Sequence, residues 1–228
     1  MKDGFGFSAD ASQVRLVRVA GDDFDTHEVV VDMLRRGFFP REALCAAFGV
    51  SQSPECERRM TNMARAALKD GVSVVAYDGD VVVGAAVNKI HDKPIPGELP
   101  LFDRFLKDAT DPASVALLSH SHHIDALVDF FEETGGEPVI ELLFVGVAPD
   151  AGGRGIGLQV SAESVKVAKE AGVRGVSALW TSDYSLSIGR KLGFQVGTCV
   201  LCECHALQVD RPEKPALLLT VCFLLQFT

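Results

Sequence analysis

The chain is 228 residues long, which fits one domain, or one with a large insertion. Hydrophobic residues make up 47% and charged residues 23%, an ordinary globular mixture that excludes the disordered, collagen-like and disulfide-scaffold classes. Lysine and arginine number 22 against 31 aspartates and glutamates, so the formal charge is −9; a chain this acidic and without a basic run is a poor partner for nucleic acid, while a cationic small substrate is compatible with it.

Residues 1–4 lack the charged segment and apolar core of an export leader, so a cytoplasmic address and free thiols are expected for the six cysteines. Val14, Leu16, Val17 and Val19 mark a first strand. Asp25 followed by Glu28 has capping-box spacing, and Val29, Val30, Met33 and Leu34 supply the buried stripe of a helix ending near Gly37. Pro54, with Glu55 and Glu57, opens a second helix that closes at Lys69 before Gly71. Residues 72–77 and 81–88, joined through Asp78-Gly79-Asp80, read as a hairpin. A Pro-containing loop (91–97) and two amphipathic stretches (101–107 and 112–133) follow. Residues 141–147 form an unbroken apolar run, as expected of a central strand buried on both faces, with Gly146 inside it marking a bulge or a close backbone approach. Then come a helix (156–171), a strand (173–180), a helix (183–191) and two strands (194–204 and 216–227). The last apolar stretch is too short to span about 30 Å of hydrocarbon as a helix, so no membrane partner is expected.

Between the central strand and the next helix lies Ala148-Pro149-Asp150-Ala151-Gly152-Gly153-Arg154-Gly155-Ile156-Gly157. A strand, a Gly-rich loop and a helix N-terminus together aim several backbone N–H groups at one point, which suits a phosphate, and Arg154 offers a charged contact. A P-loop is excluded because no Gly-Lys-Ser/Thr follows, and a dinucleotide-binding loop would follow the first strand rather than roughly the fourth. A glycine-rich turn without ligand is the remaining alternative. Val147-x-Pro149, the glycine loop and Leu192-Gly193-Phe194 together resemble the GNAT superfamily of acetyl-CoA-dependent N-acetyltransferases. The resemblance covers most of the chain, with its motifs concentrated in residues 144–196. It implies acetyl-CoA as co-substrate. The main chain of Val145 and Val147 would then pair with the pantetheine arm, and the loop Gly152, Gly153, Arg154, Gly155, Ile156 and Gly157 would hold the pyrophosphate. The family pattern Arg/Gln-x-x-Gly-x-Gly/Ala has Gly152 in its first position here, so one basic contact is lost or relocated.

Phe38-Phe39-Pro40-Arg41-Glu42-Ala43-Leu44 resembles the Phe-Phe-x-x-Glu-Pro-Leu segment of the arthropod arylalkylamine N-acetyltransferase branch, which implies that Glu42 is the general base; Ala43 replaces the family's proline. From the residues alone, Glu42 reads equally as a helix-starting glutamate. Thr181-Ser182-Asp183-Tyr184-Ser185 stands where that branch has Ser-Ser-His-Tyr-Ser, which implies hydroxyl roles for Thr181 and Ser185. The superfamily's usual tyrosine acid has Gly189 in its slot, leaving Ser185, Tyr184 or water to protonate the thiolate. Ser182 or Asp183 reads alternatively as a plain helix cap. Phe38, Phe39 and Trp180 are candidate pocket walls.

His120-Ser121-His122-His123 reads as a polar surface turn rather than a metal site. Cys199, Cys202, Cys204 and His205 alternate faces on a strand, so buried thiols are expected and no metal. The expectation is therefore a single GNAT domain over residues 1–228, of mixed α/β class. Its central twisted sheet is splayed at the middle strand near Gly146, with helices on both faces. The activity implied is acetyl transfer to a small arylalkylamine, in a monomer or homodimer. Two alternatives stand: another amine (polyamine, amino acid or protein amine), or CoA binding without turnover.

Overall fold

The computed structural model of the chain describes residues 14–93, 95–203 and 217–227. Among the described residues, seven strands form one sheet: β1 (Arg15–Arg18), β2 (Val74–Asp78), β3 (Val81–His91), β4 (Val139–Val147), β5 (Gly175–Trp180), β6 (Gln195–Glu203) and β7 (Leu217–Gln226). Their spatial order is β1-β2-β3-β4-β5-β7-β6. Of these strands only β4 and β5 pair in parallel. A parallel pair needs a crossover, and the helix Ile156–Glu170 supplies it.

The helices are α1 (Phe24–Gly37), α2 (Ala43–Ala47), α3 (Pro54–Leu68), α4 (Leu101–Leu106), α5 (Pro112–Asp125), α6 (Phe130–Glu133), α7 (Ile156–Glu170) and α8 (Asp183–Leu192). They cover both faces of the sheet. Val75, Ala85, Val87 and Phe144 pack with α1, α3 and α5, whereas Val74, Ala76, Ala86 and Leu142 pack with α7 and α8. Alternate residues of one strand thus enter different cores, which explains the unbroken apolar runs. Fully buried Asn88 pins α7 to β3: its Nδ2 donates to Val72 O and to Ser164 Oγ, both at 2.8 Å.

Several sequence expectations shift. The α1 cap is Asp23, whose carboxylate accepts from Thr26 N–H at 3.1 Å; Glu28, expected in the capping box, instead pairs with Arg65 of α3. Val29 is 48% exposed, and Val31 takes its place in the buried stripe. The stretch 112–133 breaks after Asp125 into α5 and α6. His120 to His123 lie on α5, not on a surface turn. There His120 is buried against the Phe48 ring, and His122 meets Asp103 Oδ2 at 3.0 Å. Cys45 and Cys56 are buried free thiols. Cys204 and His205, and the side chains of Cys199, Cys202 and Cys222, lie outside the described residues.

The sheet is splayed at its middle strand, but the irregularity is not at Gly146. Val87 opposes Phe144 while Asn88 opposes Leu142, so Leu143 is the extra, bulged residue. Pairing between β4 and β5 runs only from Val139↔Gly175 to Leu142↔Ala178, and the strands part beyond it. Gly146 answers to a close approach instead: a Cβ there would lie 3.2 Å from Leu34 Cδ2 and 3.3 Å from Phe38 Cβ.

Candidate active site

The parting of β4 from β5 opens one side of β4. Facing residues of an antiparallel ladder alternate between bonded and non-bonded pairs. Ala148 N–H donates to Val83 O at 2.9 Å, so the peptide groups of Val145 and Val147 turn away from β3 toward the opening. Beyond β4 the chain makes one tight turn (Pro149–Ala151), passes Gly152 and enters α7. Gly153 and Gly155 have φ of 78° and 72°, the left-handed region that disfavours any side chain, and a Cβ on either would meet nothing within 4 Å. No side chain caps the N-terminus of α7, whose first-turn N–H groups face that open space at the positive end of the helix dipole. The space and the donors fit a pyrophosphate.

A cleft of about 420 Å³ begins at this loop and runs between β4 and the end of α1 toward α5. Glu42 stands on its wall as the N-cap of α2. Its Oε1 accepts from Leu44 N–H at 3.1 Å and its Oε2 from Cys45 N–H at 2.8 Å. The Thr181 hydroxyl, arriving from the end of β5, donates to Oε1. The helix-starting reading of Glu42 is realised, on the wall of the cleft. Two carboxylate oxygens offer about four acceptor positions; three are filled by these groups, and the Cys45 thiol bonds to the carboxylate as well. Cys45 lines the same wall; burial pushes its thiol well above the usual value, and the Glu42 charge adds to the rise.

Ser182 is the N-cap of α8, in a reciprocal box with Ser185. Ser185 Oγ accepts from Ser182 N–H at 3.1 Å and donates to Ser182 O at 2.9 Å, so its proton is engaged in the cap. Tyr184 is 62% exposed, and its hydroxyl lies 3.8 Å from where a Gly157 Cβ would be, over the first turn of α7. It makes no hydrogen bond among the described residues. Gly189 has no room for the tyrosine of the wider superfamily, because a Cβ there would lie 2.5 Å from Trp180 Nε1.

Of the expected pocket walls, Phe38 and Trp180 line the cleft, whereas Phe39 is fully buried behind it. Phe38, Phe39 and Phe144 pack edge to face with ring centroids 5.7 to 5.9 Å apart. Glu42, Thr181, Tyr184, Ser185, Val145, Val147 and the loop residues Gly152, Gly153, Gly155, Ile156 and Gly157 all border this cleft. Arg154 does not: its Nη1 pairs with Asp78 Oδ2 at 2.7 Å, on the hairpin between β2 and β3. Among the described residues no group of three or more His, Cys, Asp or Glu is placed to hold a metal, and no helix is long and apolar enough to cross a membrane.

No protein-family model matches the chain, and no curated protein sequence does. Solved structures do. Arylalkylamine N-acetyltransferase 2 from Aedes aegypti aligns with a TM-score of 0.80 at 17% identity, over 95% of this chain and 100% of that one. The chain has the GNAT acetyltransferase fold. Mosquito arylalkylamine N-acetyltransferase like 5b aligns at 0.77 with 18% identity, over 94% of this chain and 100% of that one. The polyamine N-acetyltransferase of Drosophila melanogaster, described as forming N-acetylagmatine, gives the same four values.

The GNAT frame also exposes residues that sequence reasoning missed. Met60 of α3, Phe102 of α4 and Leu117 of α5 line the inner part of the cleft, together with Glu141 of β4. Nothing local marks them, since each is an ordinary core or strand position until α3, α4 and α5 close over the sheet. Arg41, at the mouth, had one available signal: it directly precedes Glu42.

Proposed function

We propose that the chain is an acetyl-CoA-dependent N-acetyltransferase whose acceptor is a small arylalkylamine. The observation that carries this is Glu42, a carboxylate on the wall of a mostly apolar cleft, joined through Thr181 to the strand end beside the glycine loop. The open cradle at Gly153 and Gly155, the outward peptide groups of Val145 and the N–H of Val147, whose carbonyl accepts from Arg41, fit acetyl-CoA, which when bound supplies the activated acyl group as a thioester. Phe38, Met60, Phe102, Leu117 and Phe144 give the acceptor an aromatic and aliphatic wall. A free alkylamine has a pKa of about 10, so it arrives protonated and must lose a proton before it can attack. Glu42 takes that proton, directly or through water. The amine nitrogen bonds to the acyl carbon as the carbon–sulfur bond breaks; Tyr184, whose hydroxyl is unengaged, gives a proton to the sulfur, and the second proton that the nitrogen loses as the amide forms restores the tyrosine. Burial and the Glu42 charge both disfavour a Cys45 thiolate, which supports direct transfer over an acyl-cysteine.

A second reading has its own observation. Glu141 is 5% exposed, borders the inner cleft and is bonded to His91 Nε2 at 2.8 Å. A second carboxylate suits an acceptor with a second cationic group, such as a polyamine.

Thiol release from acetyl-CoA, measured with tyramine, dopamine, serotonin, tryptamine, spermidine, agmatine and a lysine peptide, tests both. Turnover confined to the aromatic amines supports the arylalkylamine reading. Turnover confined to spermidine and agmatine transfers it to the second. Acetyl-CoA binding with no turnover on any amine overturns both in favour of a binding protein.

A further inference from the structure

Arg41 is the one basic residue among the described residues that border the cleft. Its Nε donates to Gly37 O at 2.7 Å and its Nη2 to Val147 O at 2.8 Å. Both partners are neutral carbonyls. Nη1 makes no hydrogen bond among the described residues, and no carboxylate there pairs with the guanidinium. The two carbonyls therefore fix the side chain at the end of β4, where the glycine loop begins, without neutralising it. The loop itself brings no charge to that place: its first position is Gly152, and Arg154 is drawn off to Asp78.

We infer that Arg41 is the phosphate-binding cation of this cleft, supplying to the pyrophosphate of a CoA thioester the charge that the loop lacks. The inference rests on the acetyl-CoA reading above. The division of labour is physical. Backbone N–H groups at the α7 N-terminus give directional but uncharged contacts, and a guanidinium held on two carbonyls adds a pre-oriented charge at low entropic cost. The chemistry moves the basic contact from the loop to the segment before Glu42, so that one stretch of chain, residues 41–42, serves both the cofactor end and the reacting end of the cleft.

Calorimetric binding of CoA, dephospho-CoA and pantetheine to the wild type, Arg41→Ala and Arg41→Lys tests this without any turnover. The expected result is that Arg41→Ala weakens CoA and dephospho-CoA alike, by roughly tenfold to a hundredfold, and leaves pantetheine unchanged. Arg41→Lys, which keeps the charge, recovers part of the loss. The salt dependence of CoA binding is shallower in Arg41→Ala than in wild type. Equal losses for CoA and pantetheine would mean that Arg41 only braces the backbone. A loss for CoA but not dephospho-CoA would move the contact to the 3′-phosphate, and an unchanged CoA affinity would remove it; each overturns the assignment. Failure of the wild type to bind CoA at all would instead overturn the acetyl-CoA reading on which it depends.

Discussion

At Glu42, capping and proton acceptance are separable by substitution. Glu42→Gln keeps only one of the two acceptor oxygens of the α2 cap and cannot take the proton, so a loss of about 1 kcal/mol of stability is expected beside an acyl-transfer rate lower by about 10²-fold or more, whereas a purely capping role would cost the stability alone. Equal rates for the two proteins would remove Glu42 from the chemistry. Thr181→Val, nearly the same shape, deletes the hydroxyl that ties Glu42 to the end of β5; the expected outcome is a lower kcat with a smaller change in acetyl-CoA affinity. Tyr184 and Ser185 are divided in the same way. Tyr184→Phe alters an exposed side chain and should slow turnover at unchanged stability, whereas Ser185→Ala opens the α8 capping box and should cost about 1 kcal/mol of stability. The reverse pattern would hand the acid role to Ser185.

At the scale of elements, the cleft depends on where helices begin and on how closely they approach the sheet. Gly155→Ala places a side chain at φ 72° and costs about 1 to 2 kcal/mol. It also fills the cradle in front of α7, so chemical denaturation and CoA calorimetry should both register it. Gly189→Ala belongs to another class. Its Cβ meets the Trp180 indole at 2.5 Å, and because Trp180 also packs on Phe194, overpacking of about 1 to 3 kcal/mol is expected, with the cleft wall displaced. Helix existence was legible from periodicity, since α1, α3 and α7 end close to where their glycines and polar residues say. The cap of α1 was not, because Asp23 and Asp25 are equivalent candidates until Glu28 is drawn away by Arg65 on a different helix.

For the molecule as a whole, the inner end of the cleft carries a buried polar group that couples β3, β4 and α5. Asp125 is pushed up to about 6, first by burial and then by the Glu141 charge. Burial alone would lower the His91 imidazole, but its hydrogen bond to Glu141 and the charge behind it raise it above 6.5. His122 and Asp103 face Asp125 as well and act in opposite directions on it. For Asp125 and His91 alike, the folded state holds the proton more tightly than the unfolded chain. Their stabilisation is therefore complete at low pH and is lost as pH rises, between 3.8 and about 6 for Asp125 and above 6.5 for His91. Asp125→Asn should match the wild-type melting temperature near the bottom of that range and exceed it progressively toward neutrality. A difference that does not vary with pH would show that the carboxyl does not titrate as placed.

A resemblance to a known family marked the segments that carry Glu42 and Tyr184, while the residues by themselves determined the order of the strands and of the longer helices, the hairpin at Asp78-Gly79-Asp80 and the strand–glycine loop–helix unit. Each of these is written in short-range chemistry: backbone periodicity, a φ that only glycine takes readily, a cap within three residues. Only the tertiary structure decided which of those residues meet. Glu42 and Thr181 are 139 positions apart and join because β5 parts from β4 after Ala178. The bulge fell at Leu143 rather than Gly146 because strand register, not local flexibility, sets where the ladder slips. Arg154 went to Asp78 and left Arg41 at the cleft, because an arginine takes whichever carboxylate the fold sets beside it. Linear spacing cannot encode these pairings, since they come from the packing of helices on both faces of a sheet whose middle strands diverge.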